Sequence, residues 1–421
     1  MNDTVLFISH EASRTGAPII LLNFLRWLRR NEPIPFRIVT GSTGGLSEDF
    51  AAVGRVDPVD PDGPRWYRAL RHLNLHGYWR SSHLDRLRRE LSKESFCLVY
   101  VNSIAGGRLL DLLPIGDCRV ICHVHELAGA IRAVGLDNLA ALERHHARYI
   151  AVSHAVKECL VKEFGVSPDR IEVIHGFIPH SSDDVPSLEE ARQMLARELN
   201  IPVYAKVVCG CGSIEARKGT DLFIEIARQV CGASSGDIRF VWIGGAAEEA
   251  EAMRRVLDNE GLGGRVHFVG SKADAAVYFA AADVFLLTSR EDPFPLVVME
   301  AARCGAPIVC FSDGGGAPEF VGDDAGFCVP DFDVSAMSRR VLELTSSRSL
   351  RDRMGGAAKR KAETNHNIEQ GASRIASRIR EVIRGDGAAR VEAGSPRSEK
   401  VPGEGRGEPL VPSPNGATTA Q

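Results

Sequence analysis

The stretch AKVVCGCGSIEARKGTDLFIEIA, residues 205–227, joins an apolar run, a glycine-rich turn and the start of an amphipathic helix. The turn carries two adjacent cations, Arg217 and Lys218, where the loop becomes a helix. Cations at that position oppose the helix macrodipole, and a bound diphosphate would reverse the penalty. The alternative is a pair of solvated surface cations partnered by Glu215.

The same order of apolar run and amphipathic helix recurs along most of the chain. This alternation predicts parallel sheets joined by right-handed crossovers. Because the runs fall into two series, we predict an α/β protein with two doubly wound, Rossmann-like domains. The predicted strands are residues 5–9, 36–40, 98–102, 120–124, 149–152, 171–174, 207–211, 239–243, 266–269, 284–287, 308–311 and 327–329.

Composition shifts mark the boundaries between the predicted domains. The first domain is predicted to span residues 1–182 and the second 203–365. A polar linker, 183–202, joins them and includes a short helix near 188–199. A helical stretch at 366–384 is predicted to pack back on the first domain. Residues 385–421 have almost no large apolar side chains, so we predict a disordered tail.

Bulk properties narrow the class of protein. A net charge of −4 over 421 residues gives no general argument for nucleic-acid binding. The chain shows neither a signal peptide nor an apolar run long enough to span a membrane, so we expect a cytoplasmic protein. The ten cysteines are scattered, mostly within apolar runs, and read as reduced, buried residues. Cys118, Cys122, His123 and His125 are not interpreted as a zinc site, because strand alternation separates them.

A second informative stretch is SREDPFPLVVMEA, residues 289–301. Asp292 lies eight residues before Glu300, and Glu291 lies nine residues before it. The segment Pro293-Phe294-Pro295 forms a rigid turn that would hold backbone groups beside a ligand. Glu300 falls within an apolar helix and needs a partner if buried, which a ribose diol would supply. The alternative is that these acids simply stabilise the helix N-terminus.

Three consecutive glycines, residues 314–316, follow another predicted strand and precede Glu319. Such a run costs conformational entropy unless the backbone must approach something closely. Ligands in doubly wound sheets bind beyond the carboxyl ends of the strands. We therefore predict that the glycine turn, the acidic turn and the basic loop face one cleft.

The first domain offers fewer candidates. Gly16 follows the first strand and opens a helix, where backbone amides can approach an anion. His125 follows the strand at 120–124, and a neutral imidazole there can donate or accept a hydrogen bond. Each position taken alone also fits an ordinary turn or a structural histidine. His175-Gly176 is interpreted as a hinge turn near the linker.

Residues 64–93 form a basic segment with interleaved tryptophan and tyrosine. Leu84, Leu87 and Leu91 make an apolar stripe along it. This pattern fits an anionic acceptor or peripheral contact with an anionic membrane. A solvated helix pair is the alternative.

Taken together, these positions resemble the GT-B glycosyltransferases, and more narrowly the retaining family 4, also called group 1. The resemblance covers roughly residues 4–380. Lys218-Gly219 resembles the lysine-glycine that follows the family's G-R-L turn and holds the donor diphosphate. Ser213 stands where that turn usually has arginine, and the adjacent Arg217 is expected to supply the charge.

The acidic turn resembles the family's E-x7-E element. This implies that the first acid, Asp292 or Glu291, contacts the donor sugar together with the following backbone at Phe294, Pro295 and Leu296. It also implies that Glu300 holds the ribose.

The remaining resemblances are shorter. Gly315, Gly316 and Glu319 match a G-G-x-P-E turn in the donor site. Gly16 resembles the first-domain glycine near the diphosphate, and His125 resembles the histidine near the transferred sugar.

The resemblance implies transfer of a sugar from a nucleotide-diphosphate sugar to an acceptor hydroxyl, with retention and without a metal or other cofactor. His125, Lys218 and Asp292 would be the catalytic residues. The expected acceptor is a glycan or a lipid-linked molecule in surface polysaccharide or glycoconjugate synthesis, and no nucleic acid is expected.

Three alternatives stay open. A nucleotide-sugar epimerase can share this architecture but needs no acceptor. A non-catalytic binding protein on a degenerate transferase fold would be consistent with Ser213. A glycosidase needs two opposed carboxylates, for which Asp292 and Glu300 could be mistaken, and it would leave the basic loop without a role.

Overall fold

A computed structural model of the protein describes residues 4–61, 76–179 and 185–384, with side chains described from residue 81 onward in the second range. Two parallel sheets organise these residues, one in each half of the chain. The predicted disordered tail, the end of the first domain at 180–182 and part of the basic segment lie outside the described residues.

The first sheet has seven described strands in the order β3-β2-β1-β4-β5-β6-β7, and each neighbouring pair runs parallel. Its strands are β1 (Thr4–Ser9), β2 (Phe36–Ser42), β3 (Val56–Asp60), β4 (Phe96–Asn102), β5 (Arg119–Val124), β6 (Arg148–Ala151) and β7 (Ile171–Val173). The helices are α1 (Gly16–Asn31), α2 (Ser47–Val53), α3 (His76–Leu91), α4 (Leu109–Leu112), α5 (Ala128–Val134), α6 (Leu136–Arg144) and α7 (His154–Phe164).

The second sheet repeats the pattern with six described strands in the order β10-β9-β8-β11-β12-β13. They are β8 (Lys206–Cys211), β9 (Ile238–Ile243), β10 (Val266–Phe268), β11 (Val284–Leu287), β12 (Ile308–Phe311) and β13 (Gly326–Val329). The helices are α8 (Leu188–Leu199), α9 (Thr220–Ala233), α10 (Ala247–Asn259), α11 (Ala276–Ala281), α12 (Leu296–Arg303), α13 (Ala317–Val321), α14 (Val334–Ser346), α15 (Arg348–Asn365) and α16 (Ile368–Arg384). Single 3₁₀ turns occur at Ile104–Gly106, Pro168–Arg170 and Ala216–Lys218.

The predicted fold of two doubly wound domains is confirmed. The central strands are buried along almost their whole length, as expected when helices cover both faces of a parallel sheet. Strand β3 was not predicted from the sequence, because Pro58 interrupts its pattern. Within the described residues, β3 pairs with β2 alone and lies at the edge of the sheet, where proline is tolerated.

Helix α8, assigned to the linker from the sequence, packs on the second domain. Ala191 and Leu195 are buried, and Arg192 forms an ion pair with Asp283 at the start of β11. Lys206 and Arg351 also pair with this buried carboxylate, so α8, β8 and α15 share one charge cluster. The interdomain connection within this region is therefore shorter than residues 183–202.

The final helix, α16, lies on the first domain. Ile375 and Ile379 are fully buried against α1 and the first sheet, and Trp27 Nε1 donates to Glu369 Oε2 at 2.7 Å. Where the chain crosses between domains, Ile178 N donates to His366 O at 2.9 Å. The two crossing segments therefore run side by side and form the hinge.

The end of the basic segment, on α3, contributes side chains to the core of the first domain. Leu87 and Leu91 on α3 are 5% and 0% exposed and join the first-domain core. Two of the three leucines in the proposed membrane-facing stripe are thus already buried. Residues 62–75, and the side chains of 76–80, are not described, so membrane contact through 64–93 stays a prediction. Among the helices the structure describes, none is both long and apolar enough to cross a bilayer.

Candidate active site

The candidate site lies where the strand order of each sheet reverses. In the first sheet this point is between β1 and β4, and in the second it is between β8 and β11. Loops diverge at such a switch point and leave a crevice beyond the carboxyl ends of the strands. Gly16 follows β1, and the basic loop and the acidic turn follow β8 and β11. The fold therefore places these predicted residues beside the two switch points.

The basic loop is folded against the acidic turn. Lys218 Nζ donates to Asp292 Oδ2 at 2.6 Å, and their side chains are only 18% and 6% exposed. Gly219 adopts φ +69°, and a Cβ there would collide with Thr288 O. This glycine is required because the loop passes directly over β11.

Arg217 is more exposed than Lys218 and points along the same loop. Its guanidinium donates to Glu215 Oε1 at 2.7 Å and to Glu291 O at 3.2 Å. Arg290 N donates to Arg217 O at 2.8 Å, which links the loop to the acidic turn a second time. The loop after β8 therefore carries two adjacent cations: Lys218, which pairs with the buried Asp292, and Arg217, which lies near solvent.

Glu300 lies half-buried on α12 and accepts no hydrogen bond from any residue within the described ranges. Burial raises the pKa of this carboxyl, with Arg303 opposing the effect. The Cys211 thiol, at the end of β8, lies near both Glu300 and Lys218. Burial raises the pKa of that thiol to about 12, Glu300 adds to the rise, and Lys218 opposes it. Glu300 and Lys218 thus both lie near the Cys211 thiol at the end of β8.

The glycine turn packs against the acidic turn through its backbone. Asp292 N donates to Gly314 O at 2.7 Å, and Gly316 N donates to Asp292 O at 3.0 Å. Gly315 has φ +119°, and a Cβ there would collide with Asp292 O. The close approach that the sequence predicted is therefore, at least in part, an approach to the protein's own backbone.

Three predicted donor residues contact the first domain instead. Glu291 accepts from Gly129 N at 3.2 Å and Ala130 N at 3.1 Å, at the start of α5. The other two, Phe294 and Glu319, lie beside the hinge.

Glu319 accepts from His154 N and Ala155 N, both at 2.8 Å, at the start of α7. The Phe294 ring lies 5.1 Å from the ring of His175 between centroids. Carboxylates at helix N-termini are favourable, so these contacts stabilise docking of the two domains.

In the first domain, His125 is oriented by Asn102. Its Nε2 lies 3.0 Å from Asn102 Oδ1, and Asn102 Nδ2 donates to Ala17 O at 2.9 Å. Because the amide nitrogen must face the Ala17 carbonyl, the amide oxygen faces the imidazole, and His125 Nε2 is the donor. Burial, followed by the neighbouring His123 and His10, holds the pKa of His125 well below its ordinary value. The ring is therefore neutral at physiological pH.

The sequence analysis did not assign roles to the polar groups around this histidine. Glu126 accepts hydrogen bonds from the Ser103 hydroxyl, from His125 N at 2.9 Å and from Ile104 N at 3.3 Å. Burial raises the pKa of its carboxyl, while these hydrogen bonds oppose the rise. The polar pair Asn102-Ser103, at and just after the end of β4, could have indicated these contacts. The ends of neighbouring parallel strands lie side by side, and β4 is the neighbour of β5, which precedes His125.

Gly16 occupies the exposed N-terminus of α1. A Cβ at this position would meet no atom within 4 Å, so the fold itself does not require glycine here. The open space leaves the first amides of a 16-residue helix free to approach an anion.

The chain matches two family models that follow one another along it. The model described as Glycosyltransferase Family 4 matches residues 14–182, and the model of Glycosyl transferases group 1 matches residues 192–361. The first match falls on the first sheet and its helices, and the second on the sheet that carries Lys218 and Glu300. Together they account for most of the described chain.

Curated relatives match parts of the chain. The lipopolysaccharide core biosynthesis glycosyltransferase LpsE of Rhizobium meliloti is 29% identical over 37% of this chain and 44% of its own length. A D-inositol 3-phosphate glycosyltransferase of Xylanimonas cellulosilytica is 28% identical over 50% of this chain and 51% of its own length. One from Mycobacterium bovis is 32% identical over 36% and 31%, respectively. The chain thus matches about half or less of each relative's length.

Solved structures match over nearly the whole described chain. HepE of Anabaena, in complex with UDP and glucose, superposes with a TM-score of 0.72 at 18% identity, covering 89% of this chain and 99% of that one. Sucrose-phosphate synthase from Thermosynechococcus elongatus gives 0.67 at 18% identity, covering 91% and 100%. At these identities the likeness establishes the fold. The two family matches, which follow one another along the chain, identify it as a group 1 glycosyltransferase, and the structural likeness shows the GT-B fold.

Proposed function

We propose that the protein transfers a sugar, with retention of anomeric configuration, from a nucleotide-diphosphate sugar to an acceptor hydroxyl. The observation that carries the proposal is that Lys218 and Glu300 both lie near Cys211, at the end of β8 and beside the switch point of the second sheet. A cation and an unpartnered carboxylate in one crevice match the two polar ends of a ribose diphosphate.

The leaving diphosphate gains negative charge as the anomeric bond breaks. Lys218 and Arg217 would stabilise that charge from the second domain, and the amides after Gly16 would do so from the first. Groups positioned in advance for developing charge lower the barrier because they need little reorganisation. Lys218 would exchange its contact with Asp292 for the phosphate, which leaves that carboxylate available to a sugar hydroxyl.

We assign Asp292, rather than Glu291, as the first acid of the pair. Asp292 lies beside Lys218, whereas both oxygens of Glu291 accept amides of the first domain. Leu296, Pro295, Gly315 and Gly316 frame the same turn and are proposed donor contacts. Phe294, Glu291 and Glu319 are reassigned to docking of the domains.

His125 is proposed to contact the transferred sugar as a neutral imidazole. Its Nε2–H is directed at Asn102, so the other ring nitrogen is the one left to accept from a hydroxyl. A neutral ring adds no positive charge beside an anomeric centre that itself becomes positive in the transition state.

UDP-glucose is the first donor to test, because the similar HepE structures contain UDP and UDP-glucose. A glycan or lipid-linked acceptor in surface polysaccharide synthesis is supported by the similarity to the lipopolysaccharide enzyme of Rhizobium meliloti. Transfer of a hexose without a metal, and a cytoplasmic location, are parts of the same proposal.

The test begins with thermal shifts against a panel of sugar nucleotides, since a ligand that binds only the folded state raises the melting temperature. Nucleotide release is then measured with the best donor, with and without candidate acceptors, in the presence of EDTA. Acceptor-dependent release with a retained anomeric configuration is expected. Altered sugar without an acceptor would indicate an epimerase, and donor binding without turnover would indicate a binding protein.

A further inference from the structure

A cluster of two imidazoles and one carboxylate lies at the hinge between the domains. His154 begins α7, His175 follows β7, and Glu319 lies on α13 of the second domain. One ligand-type atom from each residue lies within 4.8 Å of the others. We propose that these three side chains bind a divalent transition-metal cation of the zinc class, which bridges the two domains.

The donor set fits this chemistry. Neutral imidazole nitrogen and carboxylate oxygen are common zinc ligands, and three protein ligands leave a fourth position for water. Calcium and magnesium prefer all-oxygen surroundings, which this cluster does not offer. The site is thus expected to select Zn²⁺, Co²⁺ or Ni²⁺ over Mg²⁺.

Two of the three ligands are already held in place. The carboxylate of Glu319 accepts from His154 N and Ala155 N, and His175 Nε2 lies 2.7 Å from its Oε2. The ring of His175 packs between those of Phe294 and His366, at 5.1 and 5.8 Å between centroids. A cation would replace the proton now shared by His175 and Glu319, while both amide hydrogen bonds stay intact.

His154, the third proposed ligand, lies on the side of the cluster from which a cation would enter. His154 is exposed, and its imidazole makes no hydrogen bond with the part of the chain that the structure describes. Its ring centroid lies 5.7 Å from that of His175. A small side-chain rotation would bring both imidazoles onto one ion without displacing the backbone.

The position of the cluster means that a bound cation would affect how firmly the two domains are held together. Because Glu319 comes from one domain and both histidines from the other, a bound cation adds bonds across the hinge. It would stabilise the docked arrangement by linkage. If turnover requires the domains to separate for product release, the cation would slow the enzyme.

The experiment measures Zn²⁺ binding to the full chain by titration calorimetry, after chelator treatment and removal of any affinity tag. The ten cysteines can also bind zinc, so the informative quantity is the difference between variants. The wild type should bind one more equivalent than His154→Ala and His175→Ala. The control is His146→Asn, an exposed first-domain histidine at φ 49°, a backbone conformation that asparagine tolerates.

Replacing Zn²⁺ by Co²⁺ gives a spectroscopic signature. Wild type and His146→Asn should show visible absorption bands of a low-coordinate site that His154→Ala lacks. His154→Ala keeps the backbone amide that Glu319 accepts, so the variant should fold normally. Equal stoichiometry and equal spectra in wild type and His154→Ala would overturn the proposal. Because metal binding is read without substrate, the result does not depend on the proposed glycosyl transfer.

Discussion

The two halves of the site differ in the kind of polar chemistry they present. The second domain offers charge: Lys218 pairs with Asp292, and Glu300 accepts no hydrogen bond from the described part of the chain. The first domain offers buried, neutral, hydrogen-bonded groups around His125 and Asn102. In the proposed reaction, the second domain would bind the charged diphosphate donor and the first would surround the reacting sugar.

The acids of the second domain also fall into two groups: those available to the proposed sugar donor and those that connect the two domains. A carboxylate in a crevice that lacks a protein partner is available to a substrate, as at Glu300. Glu291 and Glu319 have their oxygens occupied by amides across the interface. Residue type alone does not distinguish these three acids, whereas their hydrogen-bond partners do.

The largest expected effect is on Lys218. Lys218→Ala should lower turnover about 100- to 1000-fold, by analogy with removing one positioned donor to a developing anion. Turnover is measured at saturating donor, with Lys359→Ala as an exposed-lysine control that should stay near wild type.

Removing Lys218 also leaves the buried Asp292 unpaired. Thermal unfolding of Lys218→Ala, measured beside the assay, therefore checks that any loss of turnover does not come from unfolding. A loss below fivefold in a folded variant would take Lys218 out of the site.

A second test concerns the unpartnered acid. Glu300→Gln should weaken donor binding by about 1.5–3 kcal/mol, roughly 10- to 100-fold, since it removes charge-assisted hydrogen bonds. The unliganded fold should be equally or more stable, because a half-buried charge is lost. Calorimetry with the donor measures the first quantity and thermal unfolding the second.

The matched control is Glu251→Gln, an exposed acid on α10. Unchanged donor affinity in Glu300→Gln would show that the ribose lies elsewhere.

The first domain is tested through the pH dependence of stability. His123 is 2% exposed, and burial lowers its pKa from 6.5 to about 3. Between these values the unfolded chain binds a proton that the folded chain does not, so acid favours unfolding. This residue should remove about 1.4 kcal/mol of stability per pH unit as the pH falls from 6 to 4.

His123→Phe removes the titrating group and should flatten that slope. It also leaves the Tyr100 hydroxyl without its partner at 2.7 Å, a cost that does not vary with pH. Chemical denaturation at several pH values provides the comparison. Identical slopes in the two proteins would contradict the assignment of a buried neutral ring.

The smallest expected effect is on docking. Glu291→Gln keeps one acceptor oxygen but loses the charge at the start of α5, which should cost about 0.3–1 kcal/mol. Small-angle scattering should show a slightly more open average shape. Glu158→Gln, an exposed acid of α7, serves as the control. Indistinguishable scattering and stability would mean that Glu291 contributes nothing to docking.

Sequence patterns predicted most of the described strands, because buried parallel strands are short apolar runs that differ clearly from the amphipathic helices between them. The edge strand β3 was missed, since proline and two aspartates mask its pattern. Among the site residues, Lys218 and Glu300 are near in sequence to glycines and prolines that mark turns, which made them visible. Asn102 and Glu126 carry no such marks, and Asn102 reaches His125, and Glu126 reaches Ser103, only because β4 and β5 are neighbours.

The order of apolar and amphipathic segments by itself determined two doubly wound domains, because local periodicity fixes which face of each element is buried. Tertiary structure alone decided which acid pairs with Lys218 and which acids contact the first domain. Asp292 and Glu291 are adjacent in the chain, yet their side chains point in different directions. The first contacts Lys218 and the second contacts the start of α5. That choice depends on partners more than 70 residues away along the chain, and no local pattern encodes it.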